Sequence, residues 1–297
     1  MITFTSDAQS LTAALGGKWH RRYGLACCPA HGDRRPSLTL ADGDDGRLLL
    51  NCKAGCGFME VLAALRDRGL IDSHNRPQPP GPAEIARRKA EAEADAARME
   101  RKAMATWNEA LPIGGTIAET YLRGRGISCD LPDTLRFHPE CWHPTARRLP
   151  AMVARIDGLS RLAIHRTYLR ADGSGKAEVE PAKAMQGAAL GGAVRLVEAE
   201  GPLVVAEGME TALSLACGLL ARPATIWAAL SCAGIAGLRL PSRPGRLTIA
   251  PDGDNPGKEA ANKLAERAAA HGWSVSLLSA PNGADWNDIL QKKGASA

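Results

Sequence analysis

The chain has 297 residues, 45% of them hydrophobic and 23% charged, which is the composition of about two ordinary globular domains and excludes wholesale disorder. Aromatic residues make up only 4%, so cores must be built from Ala, Leu, Val and Ile, and base stacking cannot dominate any contact with nucleic acid. Lys and Arg number 37 against 32 Asp and Glu, a formal net charge of +5, which permits an anionic partner without announcing one.

The first ten residues lack the basic-then-apolar plan of a signal peptide. The longest uncharged stretch, Pro223 to Leu238, is too short for a membrane span and is interrupted by Gly234 and Gly237. A cytoplasmic location with no membrane partner is therefore expected, where cysteines are free thiols or metal ligands more often than disulfides. Of the eight cysteines, Cys27, Cys28, Cys52 and Cys56 crowd together near the N-terminus. Cys28-Pro29-Ala30-His31 is a C-x2-H pair and Cys52 to Cys56 a C-x3-C pair. Between them, Ser37 to Leu40 alternates, Asp42 to Gly46 is rich in turn formers and Arg47 to Leu50 returns, the pattern of a hairpin. Two short ligand pairs joined by a hairpin make a tetrahedral zinc site, so Cys28, His31, Cys52 and Cys56 are the expected Zn2+ ligands. Cys27 is the alternative to Cys28 by a C-x3-H spacing; Cys28 is preferred because Pro29 suits the rigid knuckle turn.

Pro77 to Pro82 closes this module, and Ala83 to about Glu109, rich in Ala, Glu, Arg and Lys, is predicted to be a mostly solvated helix. Beyond it the signals mix: a helix around Ile117 to Arg123, then strands at Ala151 to Ile156, Leu162 to Leu169 and Ala193 to Val197. Arg161, His165, Arg166, Arg170, Lys176 and Lys183 give this stretch a basic flank, with Leu162 and Ile164 expected inward and Arg161 and His165 outward. His138, Cys141 and His143 match no paired knuckle and are assigned to a structured Pro-rich loop rather than a second metal site.

Leu203 to Ala206 is a short apolar run typical of a buried parallel strand, followed at once by Glu207-Gly208 and a helix predicted over Met209 to Leu220. Leu247 to Ala250 is a second such run, ending in Pro251-Asp252-Gly253-Asp254-Asn255-Pro256-Gly257 before a helix over Lys258 to His271. Trp273 to Leu278 is a third, followed by Asp285. Alternating strands and helices imply a parallel sheet whose polar turns gather at the strands' carboxyl ends. Glu207, Asp252 and Asp254 then meet at one sheet edge with Asp285 beside them, a set of acids suited to Mg2+ or Mn2+. Gly208 and Gly253 are expected to keep the turns open for phosphate oxygens.

Val204-Val-Ala-Glu207-Gly208 and Ile249-Ala-Pro-Asp252-Gly-Asp254 resemble the two acidic motifs of a TOPRIM domain. The cluster from Cys28 to Ser37, with Cys52 to Cys56, resembles the CHC2 zinc ribbon of DnaG-type primases. Zinc ribbon followed by TOPRIM is the primase order, and the arrangement is most similar to primase-like proteins of phages and conjugative plasmids. In that family Arg166 and Lys183 would match the basic ridge beside the metal site. The resemblance implies an α/β chain in four parts: a zinc-binding domain over 1–76, a Pro-rich and helical linker over 77–106, a basic mixed α+β subdomain over 107–198, and a Rossmann-like TOPRIM domain over 199–297. It also implies Mg2+-dependent synthesis of short RNA primers on single-stranded DNA from ribonucleoside triphosphates. Catalysis falls to Glu207, Asp252 and Asp254, with Asp285 a further metal ligand and Arg166 and Lys183 on substrate or nucleic acid. The same acids would serve a TOPRIM nuclease, and a non-catalytic zinc-dependent DNA-binding accessory is the remaining alternative. Two features depart from the family: C-x3-C replaces C-x2-C, and no acid stands four positions after Glu207. Glu210, one residue earlier, is the candidate substitute, which leaves the number of catalytic metals open. No G-x4-G-K-[ST] motif occurs, so unwinding is expected from a separate replicative helicase.

Overall fold

The computed structural model describes residues 7–43, 47–71 and 82–294. The tip of the turn predicted at Asp42 to Gly46 and most of the Pro-rich boundary at Pro77 to Pro82 lie outside them. Among the described residues no helix is long and apolar enough to cross a membrane. The chain divides into two units, Met1–Glu93 and Ala94–Ala297.

In the first unit, Asp7 caps helix α1 (Ala8–Ala14) by accepting from the Ser10 N–H at 2.6 Å. Strands β1 (Lys18–His20), β2 (Tyr23–Ala26), β3 (Leu38–Asp42) and β4 (Leu48–Cys52) form one antiparallel sheet in chain order. The expected hairpin is β3 on β4, in register from Leu38 opposite Cys52 to Asp42 opposite Leu48. Alternation sends Leu38 and Leu40 inward, where they pack with Leu11 of α1 and with Val61 and Leu65 of α2 (Phe58–Asp67). Burying each such leucine is worth about 1.5–3 kcal/mol, and this small core also contains Cys28 and Cys52.

Helix α3 (Pro82–Glu109) runs through the boundary between the units, and its last turns bury Ala103 and Trp107 against Val153 and Ile164. The second unit continues with β5 (Leu111–Pro112), α4 (Ile117–Gly124), β6 (Leu135–Trp142), β7 (Arg148–Ile156), β8 (Ala163–Tyr168) and β9 (Lys183–Gln186), the strands forming an antiparallel sheet in order. Two expectations need correction here. The segment read as a Pro-rich loop is strand β6: the register shifts between His138 and Cys141, and this irregularity accommodates Pro139. In β8 every residue is buried, His165 included, because strands flank it on both sides and packed groups cover both faces. One face carries Ile164 and Tyr168, the other Ala163 and Leu169.

Strand β10 (Val194–Val197) leaves that sheet and joins a second one, with β11 (Leu203–Ala206), β12 (Thr225–Ala228), β13 (Arg246–Ala250) and β14 (Ser274–Leu277). The order is β10-β12-β11-β13-β14; all neighbours are parallel except β10, an antiparallel edge strand added to the expected parallel sheet. Side-chain alternation feeds two cores. Val204, Ala206, Ile226 and Ala228 face α5 (Met209–Ser214), whereas Leu203, Val205, Trp227 and Ile249 face α6 (Cys232–Gly237) and α7 (Asn255–Ala270). The first core also takes Tyr121, Leu122, Leu135 and Met152, so residues 107–198 and 199–297 share it. Helix α5 ends six residues earlier than expected in a π-helical turn, Leu215–Leu219, where Gly218 adopts φ +90°. Helix α7 begins three residues early because Asp254 caps it and Pro256 fits its first turn. Strand β12 and α6 fill the uncharged stretch that carried no expectation, and α8 (Trp286–Gly294) packs on α5.

Candidate functional site

In the first unit, Cys28, His31, Cys52 and Cys56 bring their ligand atoms within 4.8 Å of one another. Zinc bonds of about 2.0–2.3 Å set tetrahedral edges near 3.5 Å, and His31 Nδ1 lies 3.2 Å from Cys56 Sγ and 4.0 Å from Cys52 Sγ. The donor set therefore fits Zn2+. The other imidazole nitrogen, Nε2, lies 3.8 Å from Asp33 Oδ2, an electrostatic approach longer than a hydrogen bond. Asp33 is fixed in turn: its Oδ2 accepts from the Ser37 hydroxyl at 2.6 Å and the Cys28 N–H at 2.9 Å, and these bonds hold its pKa down to about 2. Burial pushes the Cys52 thiol up, but the Cys56 N–H, the Ser37 hydroxyl and the Ala54 N–H outweigh it and bring it down to about 6. Cys28, the preferred alternative, is the buried member of the Cys27–Cys28 pair.

In the second unit, β11 and β13 are adjacent and parallel, with Ala206 opposite Ala250, so the residues that follow them emerge at the same sheet edge. Glu207 takes the Cys232 thiol on both oxygens, at 3.5 and 3.4 Å. Asp252 Oδ1 accepts from the Thr211 hydroxyl at 3.3 Å. Asp254 Oδ1 accepts from the Gly257 N–H at 2.7 Å as the cap of α7, and Asp285 Oδ1 accepts from the Asp288 N–H at 2.8 Å at the start of α8. Burial, then the charges of Glu207 and Asp285, push Asp252 up to about 6. Burial raises Glu207 too, with Asp254 adding to it against the Cys232 bond and Lys183. Mutual repulsion among these acids is what a divalent cation relieves, although among the described residues only the Cys/His cluster gathers its ligand atoms as a formed metal site does.

Of the two turn glycines, Gly253 acts differently from expectation. A Cβ on Gly253 would collide with the Pro281 carbonyl and meet the Ala284 carbonyl; this glycine admits the 281–284 loop rather than a phosphate. At Gly257 a Cβ would meet Asp254 Oδ1 at 2.9 Å and Glu207 Oε2 at 3.5 Å, so a larger residue here would crowd the capping carboxylate.

The basic flank is largely paired within the molecule. Arg161 binds Glu100 and Arg170 binds Glu178, both at 2.5 Å. Arg166 is 7% exposed and donates to the Trp142 carbonyl at 2.7 Å. It belongs to the opposite face of β8 from Thr167, whose cross-strand neighbour is Lys183, so the structure does not bring Arg166 and Lys183 together. Lys183 instead reaches Glu210 at 3.6 Å.

Residues 202–296 match the model of the Toprim domain. The chain carries a C-terminal Toprim domain. Residues 97–196 match a domain of unknown function, DUF7146, and no curated protein matches the chain. Among solved structures, a DNA primase domain from Pseudomonas aeruginosa is similar at 18% identity over 66% of this chain and 75% of that one, with a TM-score of 0.41. The zinc-binding and RNA polymerase domains of the Aquifex aeolicus primase are similar at 14% identity over 97% and 80%, with a TM-score of 0.39.

Within the Toprim domain, sequence reasoning missed Cys232 and Thr211, the direct partners of Glu207 and Asp252. Thr211 carries a readable signal, lying one helical turn past Glu207; Cys232 lies on a helix that no periodicity announced. An apolar cavity lined by Leu131, Leu196, Leu215, Leu220 and Ile226 lies toward the amino end of β12, away from the carboxylates.

Proposed function

We propose that this Toprim protein is a DNA primase, a nucleotidyltransferase that joins ribonucleotides on single-stranded DNA. The observation that carries the reading is the order of its parts: a four-ligand Cys/His cluster ahead of a Toprim carboxylate edge. Zn2+ held by Cys28, His31, Cys52 and Cys56 would stiffen the module that meets template. Mg2+ or Mn2+ held directly by Asp252 and Asp254, with Asp285 in support and Glu207 beside them, would supply charge neutralisation and Lewis acidity at phosphate.

The chain's own residues do the positioning. The Thr211 hydroxyl orients Asp252, and the Cys232 thiol holds Glu207 in the edge. A primer 3'-hydroxyl attacks the α-phosphorus of the incoming triphosphate and pyrophosphate departs. Glu207, raised by its burial, is suited to receive the hydroxyl proton. Lys183 faces this edge from β9 and is assigned to nucleotide or nucleic-acid phosphate. Strand separation is left to a separate helicase, and the setting is cytoplasmic.

The test is incubation of the full chain with single-stranded DNA, labelled ribonucleoside triphosphates and Mg2+ or Mn2+. Short labelled products support a primase. Shortened DNA without labelled product identifies a nuclease instead, and salt-sensitive DNA binding with neither product identifies an accessory protein.

A further inference from the structure

Beyond the zinc cluster, the second unit carries Cys129, Cys141, Cys217 and Cys232, all free thiols. Cys141 is sealed in a small core with Ala151 and Tyr168, and Cys232 is engaged with Glu207. The remaining two meet each other. Cys129 lies in the segment leading from α4 to β6, and Cys217 lies 88 residues later in the π-helical turn that ends α5. Cys129 docks on one turn of that helix at two points: its N–H donates to Cys217 Sγ at 3.4 Å and its thiol to the Leu213 carbonyl at 3.9 Å. Burial, then the neighbouring Cys217 thiol, push Cys129 up to about 12.

The pair is held together, adaptable and reachable. Asn287 of α8 donates to the Arg125 carbonyl and to the Ser214 hydroxyl, both at 2.9 Å, so the segment carrying Cys129 and the helix carrying Cys217 are already fastened a few residues away. Cys217 (φ −83°, ψ 36°) and Gly218 (φ +90°) break the helix, so no regular hydrogen-bond ladder fixes the Cys217 side chain. The apolar cavity of about 620 Å³ is lined by Cys129 and by Leu215, Ala216 and Leu220, which flank Cys217 in the chain; it gives a small oxidant a route to the pair.

We propose that Cys129 and Cys217 are a redox modification site, a dithiol that a peroxide closes to a disulfide, stapling the segment before β6 to the end of α5. Cys217 takes the first step because Cys129 stays protonated at neutral pH. Its sulfur attacks an oxygen of hydrogen peroxide; the O–O bond breaks, a sulfenic acid forms, and the displaced hydroxide takes the thiol proton and leaves as water. The Cys129 sulfur then attacks the sulfenic sulfur; the S–O bond breaks as the S–S bond forms, and the Cys129 proton leaves with the hydroxide as a second water. Two thiols lose two electrons, and one peroxide is reduced to two waters. A bond closing so long a loop restricts the unfolded chain, so oxidation stabilises the second unit and a thiol reductant reverses it. Nothing in this chemistry depends on primer synthesis.

The test treats the zinc-loaded full chain with hydrogen peroxide, alkylates the remaining thiols after unfolding, and reads the digest by mass spectrometry with and without reductant. A peptide pair joined through Cys129 and Cys217 is expected, lighter by two hydrogens than its parts and lost on reduction, while Cys141 and Cys232 are recovered alkylated. The denaturant midpoint of the second unit should rise on oxidation, and Cys217→Ser should abolish the rise. Recovery of Cys129 and Cys217 as alkylated thiols, or as separate sulfinic or sulfonic acids, overturns the proposal, as does a cross-link from either to another cysteine in its place. A Cys129–Cys217 cross-link that leaves the midpoint unchanged or lower overturns the stapling role. Peptide mapping uses the wild-type chain, so it decides the matter even if Cys217→Ser fails to fold.

Discussion

Cys28, His31, Cys52 and Cys56 gather their ligand atoms within 4.8 Å of one another, whereas Glu207, Asp252, Asp254 and Asp285 are each tied to a different protein donor. The difference follows from charge. Sulfur and imidazole donors pack closely in the small core of the first unit, but ionised carboxylates repel, so each is held by a helix cap, a hydroxyl or a thiol. The two units accordingly depend on metal in different ways. The first has a small core that includes two of its own ligands, so metal binding there is folding free energy. The Toprim edge is supported by a buried sheet with apolar packing on both faces, so a metal bound there would serve chemistry and would not be needed for the fold.

The largest test of that contrast is Cys52→Ser, or removal of zinc with a chelator. Structural zinc is worth about 10–16 kcal/mol, so the first unit should lose its cooperative melting transition while that of the second keeps its midpoint. A joint loss of both transitions would break the comparison. Next comes Gly253→Ala. Its Cβ would drive against the Pro281 and Ala284 carbonyls, at a cost of about 2–4 kcal/mol by denaturant unfolding, confined to the second unit. An unchanged midpoint would show that the 281–284 loop yields freely.

The smallest effect concerns pH. Burial, then Lys183, lowers His165 from 6.5 to about 4. The unfolded chain therefore binds the extra proton between these values, and the stability from a neutral buried His165 is present above pH 6.5 and lost as pH falls toward 4. Between pH 7 and 5 the second unit should lose about 2 kcal/mol more in wild type than in His165→Gln, a figure that follows from the shift at 1.36 kcal/mol per unit. Parallel pH profiles for the two proteins would contradict this.

Much of this architecture is legible in the sequence, and the exceptions have physical causes. The zinc pairs and the strands before Glu207 and Asp252 read directly, because ligand spacing and apolar runs are local signals. Strand β6 was obscured by Pro139, whose place in a strand depends on an irregularity that only the partner strand creates. Alternation along β8 turns His165 outward only where one face is wet, and both faces are covered. Strand β12 and α6 share an uncharged run with too little contrast for any period to show. Glu210 was the hardest residue to read. Its position suggested a metal ligand, and its partners Tyr121, Lys176 and Lys183 lie 89, 34 and 27 residues away in the chain, brought together only by the shared core.

The central claim is that the Toprim edge performs metal-dependent nucleotidyl transfer as a site separable from template binding. The most direct measurement is Mg2+-dependent incorporation of labelled ribonucleotides by wild type and Asp252→Asn, alongside the affinity of each for single-stranded DNA. The account predicts that Asp252→Asn abolishes incorporation while its DNA affinity stays within twofold of wild type. Incorporation at the wild-type rate in Asp252→Asn would contradict it.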